Sequence, residues 1–183
     1  PLQISSIRPL HGPLLEDNLE EYVNLYDIWS KYMPETEGVF IACASMHGGT
    51  MEAAKKLAEI LRSKGAERVV LSDLCRSDVA ENVEDAFRYS RMILAAPSYD
   101  GGLFTPMYDF LHRLQIKGYS NRIVGIIENG SWAPSAGRVM KEMLGSMKNV
   151  TVVNPEVTIR SRMKSSDLQA MTSLADSILQ QTL

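Results

Sequence analysis

From residue 38 onward, five short apolar runs alternate with five helical patterns, and this alternation restricts the chain to repeated βαβ units around a parallel sheet buried on both faces. Strands are expected at 39–44, 69–72, 92–96, 123–127 and 150–153, and helices at 50–63, 79–87, 105–115, 135–146 and 166–180. Crossovers between parallel strands are right-handed, so the expected class is α/β: a doubly wound five-stranded parallel sheet in a three-layer α/β/α sandwich. Periodicity does not encode strand order, and 155–164 reads either as an extension of the fifth strand or as a loop.

The first 36 residues have a different texture. A strand-like piece at 4–7 and a loop at 8–13 precede Asp17 and Glu20, which stand in capping-box spacing before an amphipathic stretch that ends at Met33, with Pro34 as a stop. Leu19, Tyr22, Val23, Tyr26 and Trp29 recur at three and four residues, which predicts that most of them pack on whatever this helix covers. The chain is thus expected to divide into 1–36, the end of a preceding domain with a linker helix, and 37–183, one α/β domain. A start at Pro1 rather than Met adds the expectation that the sequence is a fragment or a processed form of something longer.

Composition removes several function classes. A net charge of −3 gives no polycationic footprint for nucleic acid or anionic lipid, and no apolar run reaches the roughly 18 residues of a membrane span. Cys43 and Cys75 form no CxxC pair, which argues against a disulfide framework or a zinc ribbon and fits a reducing cytoplasm.

Ligands of doubly wound sheets bind beyond the carboxyl ends of the strands. The loop after the first strand reads Ser45-Met46-His47-Gly48-Gly49-Thr50 and runs directly into a helix. Small residues, two hydroxyls and a helix N-terminus are suited to a phosphate. Thr50 stands where a nucleoside triphosphate loop needs Lys, and the adjacent pair Gly48-Gly49 is not a Gly-x-Gly-x-x-Gly dinucleotide fingerprint; Asp73 after strand two is more simply a turn or cap residue. Strand three ends in Ala95-Ala96-Pro97, without the aspartate of a phospho-acceptor. The loop after it, Pro97-Ser98-Tyr99-Asp100-Gly101-Gly102, and the loop after strand four, Glu128-Asn129-Gly130-Ser131-Trp132, each carry one aromatic on the same rim, suited to a planar ring.

These three loops resemble those of flavodoxins. More specifically, the stretch from Ser45 to Met51, the pair Ser131-Trp132 and the Tyr-x-x-Trp-Ser from Tyr26 to Ser30 resemble the flavodoxin-like domain of flavodiiron proteins, the A-type flavoproteins. His11-Gly12-Pro13 is similar to the His-Gly-Pro that closes the metallo-β-lactamase-like domain of that family and supplies its last diiron ligand. The resemblance implies a flavodoxin-like fold and FMN held by Ser45, Met46, His47, Gly48, Gly49, Thr50, Pro97, Ser98, Tyr99, Asp100, Gly101, Gly102, Asn129, Gly130, Ser131 and Trp132. It also implies His11 as a metal ligand, iron only in the longer protein, and electron relay to a diiron site that reduces dioxygen or nitric oxide. The implied partner is a rubredoxin or a flavin reductase, with a homodimer as one open arrangement. Departures from the family pattern are Gly49, where a polar residue is common, the Glu128-Asn129-Gly130 run, and Ser98-Tyr99-Asp100. The alternative is a flavin-free module for docking or dimerisation; nothing marks a nicotinamide site.

Overall fold

The computed structural model describes residues 3–182. Strands β1 (Thr36–Cys43), β2 (Val69–Asp73), β3 (Tyr89–Tyr99), β4 (Gly102–Leu103), β5 (Arg122–Asn129), β6 (Val150–Val152) and β7 (Val157–Ile159) alternate with helices α1 (Leu19–Ser30), α2 (Gly49–Ser63), α3 (Val79–Arg88), α4 (Thr105–Ile116), α5 (Ala136–Leu144) and α6 (Leu168–Gln180). The main path through the sheet is β2-β1-β3-β5-β6, all parallel, as expected. The expected fifth strand is β6, and the stretch 155–164, read as an extension of it or a loop, contributes the separate strand β7. β6 pairs with the start of β5 and β7 with its end, separated by a step containing Pro155, which has no N–H to give to a ladder. β4 is a two-residue antiparallel hairpin partner of β3 that alternation does not predict.

Residues alternate across the sheet. Phe40, Met92, Leu94 and Val124 pack under α3, α4 and α5 with Phe110, Leu111 and Met140. Ile41, Ile93, Ile123 and Ile127 face the other way, against Leu57 and Leu61 of α2 and Leu174 and Ile178 of α6. All eight residues of β5 are buried, as the centre of a sheet covered on both faces requires.

The N-terminal segment departs from expectation in three ways. At 4–7 there is only an isolated bridge, Ile7 to Leu15. The capping box of Asp17 and Glu20 does not form: Asn18, with φ 53, is the cap residue and makes no side-chain bond. This left-handed backbone puts Asp17 outside the cap position. Finally, no residue of α1 is buried, and Tyr26 (71% exposed) and Trp29 (50%) are largely open, so the described residues cover the periodic apolar face only in part. The helix stops at a left-handed Tyr32 (φ 57), after which Met33 N–H reaches back to the Ile28 carbonyl at 3.0 Å.

Candidate functional site

Because β1, β3 and β5 are neighbours, with Cys43 beside Ala95 and Pro97 beside Asn129, their three C-terminal loops leave the sheet side by side. The connection order reverses between β1 and β3, which makes this edge the crevice where such sheets take ligands.

In the first loop, Ser45 Oγ accepts the N–H groups of Gly48 (3.1 Å) and Met51 (3.3 Å), folding the turn tightly over the start of α2. Gly48, at φ 88, occupies backbone space that a side chain would strain. The Gly49 and Thr50 N–H groups bond to none of the described residues, so the positive end of α2 is open toward an anion. Thr50 is only 2% exposed, and its Oγ1 accepts from Asn129 Nδ2 at 3.2 Å, which leaves the hydroxyl hydrogen to donate.

The second loop is a hairpin. Asp100 (φ 47) and Gly101 (φ 71) turn the chain so that Tyr99 pairs with Gly102 in β4, while the Tyr99 ring meets Phe104 edge-on at 5.7 Å. Ser98 Oγ accepts the N–H groups of Ser135 (2.8 Å) and Ala136 (3.1 Å), so its side chain caps α5 and ties the second loop to the third.

In the third loop the side chains of Glu128 and Asn129 are engaged within the protein. Glu128 is 7% exposed; one carboxylate oxygen accepts the Gly137 N–H at 2.8 Å and the other accepts from Thr158 Oγ1 at 2.8 Å, so its charge is spent at the start of α5. Asn129 clamps Ser161, donating to its carbonyl at 2.8 Å and accepting its N–H at 2.9 Å. Trp132 is 96% exposed.

A cavity of about 270 Å³ opens between the loops and is lined by Met46, His47, Gly49, Thr50, Pro97, Ser98, Tyr99, Asn129, Gly130 and Ser131, which are ten of the sixteen residues nominated from sequence, together with Ser161. Ser45 and Gly48 line an adjoining recess with Lys55, Asp73 and Arg76. Asp100, Gly101, Gly102 and Trp132 do not line the cavity, although Asp100 and Trp132 each follow a lining residue in the chain. Asp73 acts as the turn residue expected, its carboxylate accepting the Cys75 N–H at 3.0 Å. His11 lies in an exposed loop, and no cluster of three metal-ligating side chains forms among the described residues.

Sequence reasoning missed Ser161. Its carbonyl oxygen lies 2.5 Å from where a Gly49 Cβ would be, so only glycine fits there. The departure at Gly49 was the available signal, but its cause is 112 residues away in sequence. Two thiols flank the first loop and neither is activated: burial, with Asp73 and Cys75 adding to it, pushes Cys43 up to about 12, and burial also raises Cys75. The site therefore offers hydrogen-bond donors, an open helix end and aromatic surface, without an activated thiol. That set fits a phosphorylated planar cofactor such as FMN: hydroxyl and N–H donors suit a phosphate, and the Tyr99 ring in the cavity lining suits a planar group.

No family model matches the chain. Among curated proteins, an uncharacterized protein of Methanocaldococcus jannaschii is 21% identical over 168 residues, covering 92% of this chain and 42% of that protein. Among solved structures, the rubredoxin oxygen:oxidoreductase of Desulfovibrio gigas superposes with a TM-score of 0.85 at 20% identity, over 95% of this chain and 43% of that one. A flavo di-iron protein variant from Thermotoga maritima gives 0.81 at 20% identity, over 97% and 44%. A flavodoxin from the domain Archaea gives 0.66 at 17% identity, over 78% and 96%. The chain spans less than half the length of the first two solved relatives and of the curated one. No helix among the described residues is long and apolar enough to cross a membrane. The order β2-β1-β3-β5-β6, the helices on both faces and these superpositions together give the chain a flavodoxin-like fold, related to that of flavodiiron proteins.

Proposed function

We propose that the chain is an FMN-binding electron-transfer module. The observation that carries this reading is the convergence of three loops on one cavity at the open N-terminus of α2. Ser45 and the buried Thr50 would hold the phosphate, with the free N–H groups of Gly49 and Thr50. Tyr99 and Trp132 would flank the ring, and FMN, when bound, supplies one- and two-electron transfer. The likeness to flavodoxins and flavodiiron proteins supports the same reading.

The finer reading is that the module belongs to a flavodiiron-type oxidoreductase. Residues 1–36 would be the end of its metallo-β-lactamase-like domain, and His11 would join ligands from outside this chain at a diiron site that reduces dioxygen or nitric oxide. A rubredoxin or a flavin reductase would supply the electrons. The competing flavin-free reading has its motive in the altered second and third loops, and the exposed Tyr26 and Trp29 of α1 favour a docking role.

Incubation with FMN followed by gel filtration tests the choice. Co-elution of a visible flavin spectrum with the protein supports the redox module, and a colourless protein peak supports the docking module. Trp132→Ala is expected to weaken FMN binding about two- to tenfold, the worth of one aromatic stacking contact. Unchanged affinity in a fluorescence titration would remove Trp132 from the ring site.

A further inference from the structure

The segment 160–164, Arg-Ser-Arg-Met-Lys, places three of the chain's 19 basic residues within five positions, although the chain as a whole carries a net charge of −3. The fold lays this arm along the first turn of α2. Ser161, itself left-handed at φ 69, is gripped at both its N–H and its carbonyl by Asn129, and its carbonyl packs on Gly49. One turn further along the same face of α2, Arg162 Nε lies 3.4 Å from Glu52 Oε2. Ser161 also lines the cavity between the loops, beside Thr50. The arm thus reaches the cavity wall through Ser161, and the Arg162 guanidinium stands beside the first turn of α2.

Glu52 is the carboxylate in that first turn. It favours the helix dipole but repels a phosphate dianion placed at the same end, and Arg162 offsets it. We propose that the arm is a fourth element of the site, in which Arg160 and Arg162 set its preference for a phosphate monoester over the same ligand without the phosphate, with Asn129 as the positioning residue that holds the arm in place. This inference rests on the flavin reading of the cavity and adds to it a charge-based selectivity.

The test is a fluorescence titration of FMN and of riboflavin into the full chain and its variants at two salt concentrations. Arg160→Ala combined with Arg162→Ala is expected to raise the FMN dissociation constant about tenfold, to leave riboflavin binding unchanged and to flatten the salt dependence of FMN binding. Adding Glu52→Gln to Arg162→Ala is expected to restore most of the loss, which a merely structural arm would not do. If the wild-type chain prefers FMN and the double variant keeps the same FMN-to-riboflavin ratio, the arm's role is overturned and the flavin reading stands. If the wild-type chain binds neither flavin, both are overturned.

Discussion

Arg122→Leu is expected to cost about 3–5 kcal/mol of stability, a fall in melting temperature on the order of 10 °C for a chain of this size. Arg122 opens β5 at the end of the sheet opposite the cavity and is fully buried. Its guanidinium faces no carboxylate at bonding distance among the described residues and is surrounded instead by main-chain carbonyls. Nε donates to Tyr89 at 2.9 Å, and Nη1 to Tyr32 (2.8 Å), Ser120 (3.0 Å) and Asn121 (3.0 Å), while Nη2 donates to Phe87. Burial lowers its pKa, with Tyr119 and Glu35 opposing. One cation thereby joins the turn after α1, the last turn of α3 and the starts of β3 and β5. Leucine would replace the volume but leave these acceptors without donors, and unpaired buried acceptors cost more than the bonds contribute. Arg122→Lys is expected to recover only part of the loss, because a single ammonium cannot span the same fork. Thermal unfolding followed by circular dichroism measures this; a melting temperature within 2 °C or so of wild type for Arg122→Leu would show that the network contributes little.

Thr50→Val is expected to raise the FMN dissociation constant about tenfold to a hundredfold while leaving riboflavin binding nearly unchanged, since a hydrogen bond to a charged group is worth about 1.5–3 kcal/mol. Valine matches the shape of threonine, so the packing of this 2% exposed side chain survives. What disappears is the hydroxyl, which accepts from Asn129 and has its own hydrogen free. Comparable losses for FMN and riboflavin would mean that Thr50 acts through loop shape rather than on a phosphate.

The sheet was legible because β1, β3 and β5 are apolar on both faces and because glycine, proline and serine mark their ends. All five main strands and the five helices of the α/β unit fall where alternation puts them. The three loops were equally legible, since chain order and the parallel sheet bring strand ends to one edge. What escaped depends on contacts that local pattern does not carry. The Asn129 clamp on Ser161 joins residues 32 apart. Arg122 in sequence is an ordinary polar residue at a strand start, and only the folded chain surrounds it with carbonyls. The periodic face of α1 is apolar as read but only partly covered by the described residues, because periodicity reports which face is apolar and not what packs on it.

The central claim, that the start of α2 holds the phosphate of FMN, is tested most directly by titrating the full chain with FMN, FAD and riboflavin and following flavin fluorescence. The cavity has open N–H and hydroxyl donors for one terminal phosphate and no dinucleotide signature. FMN is therefore expected to bind most tightly, with riboflavin and FAD weaker by about tenfold or more. Equal affinity for FMN and riboflavin would contradict the account, because it would show that the loop from Ser45 to Thr50 takes no phosphate.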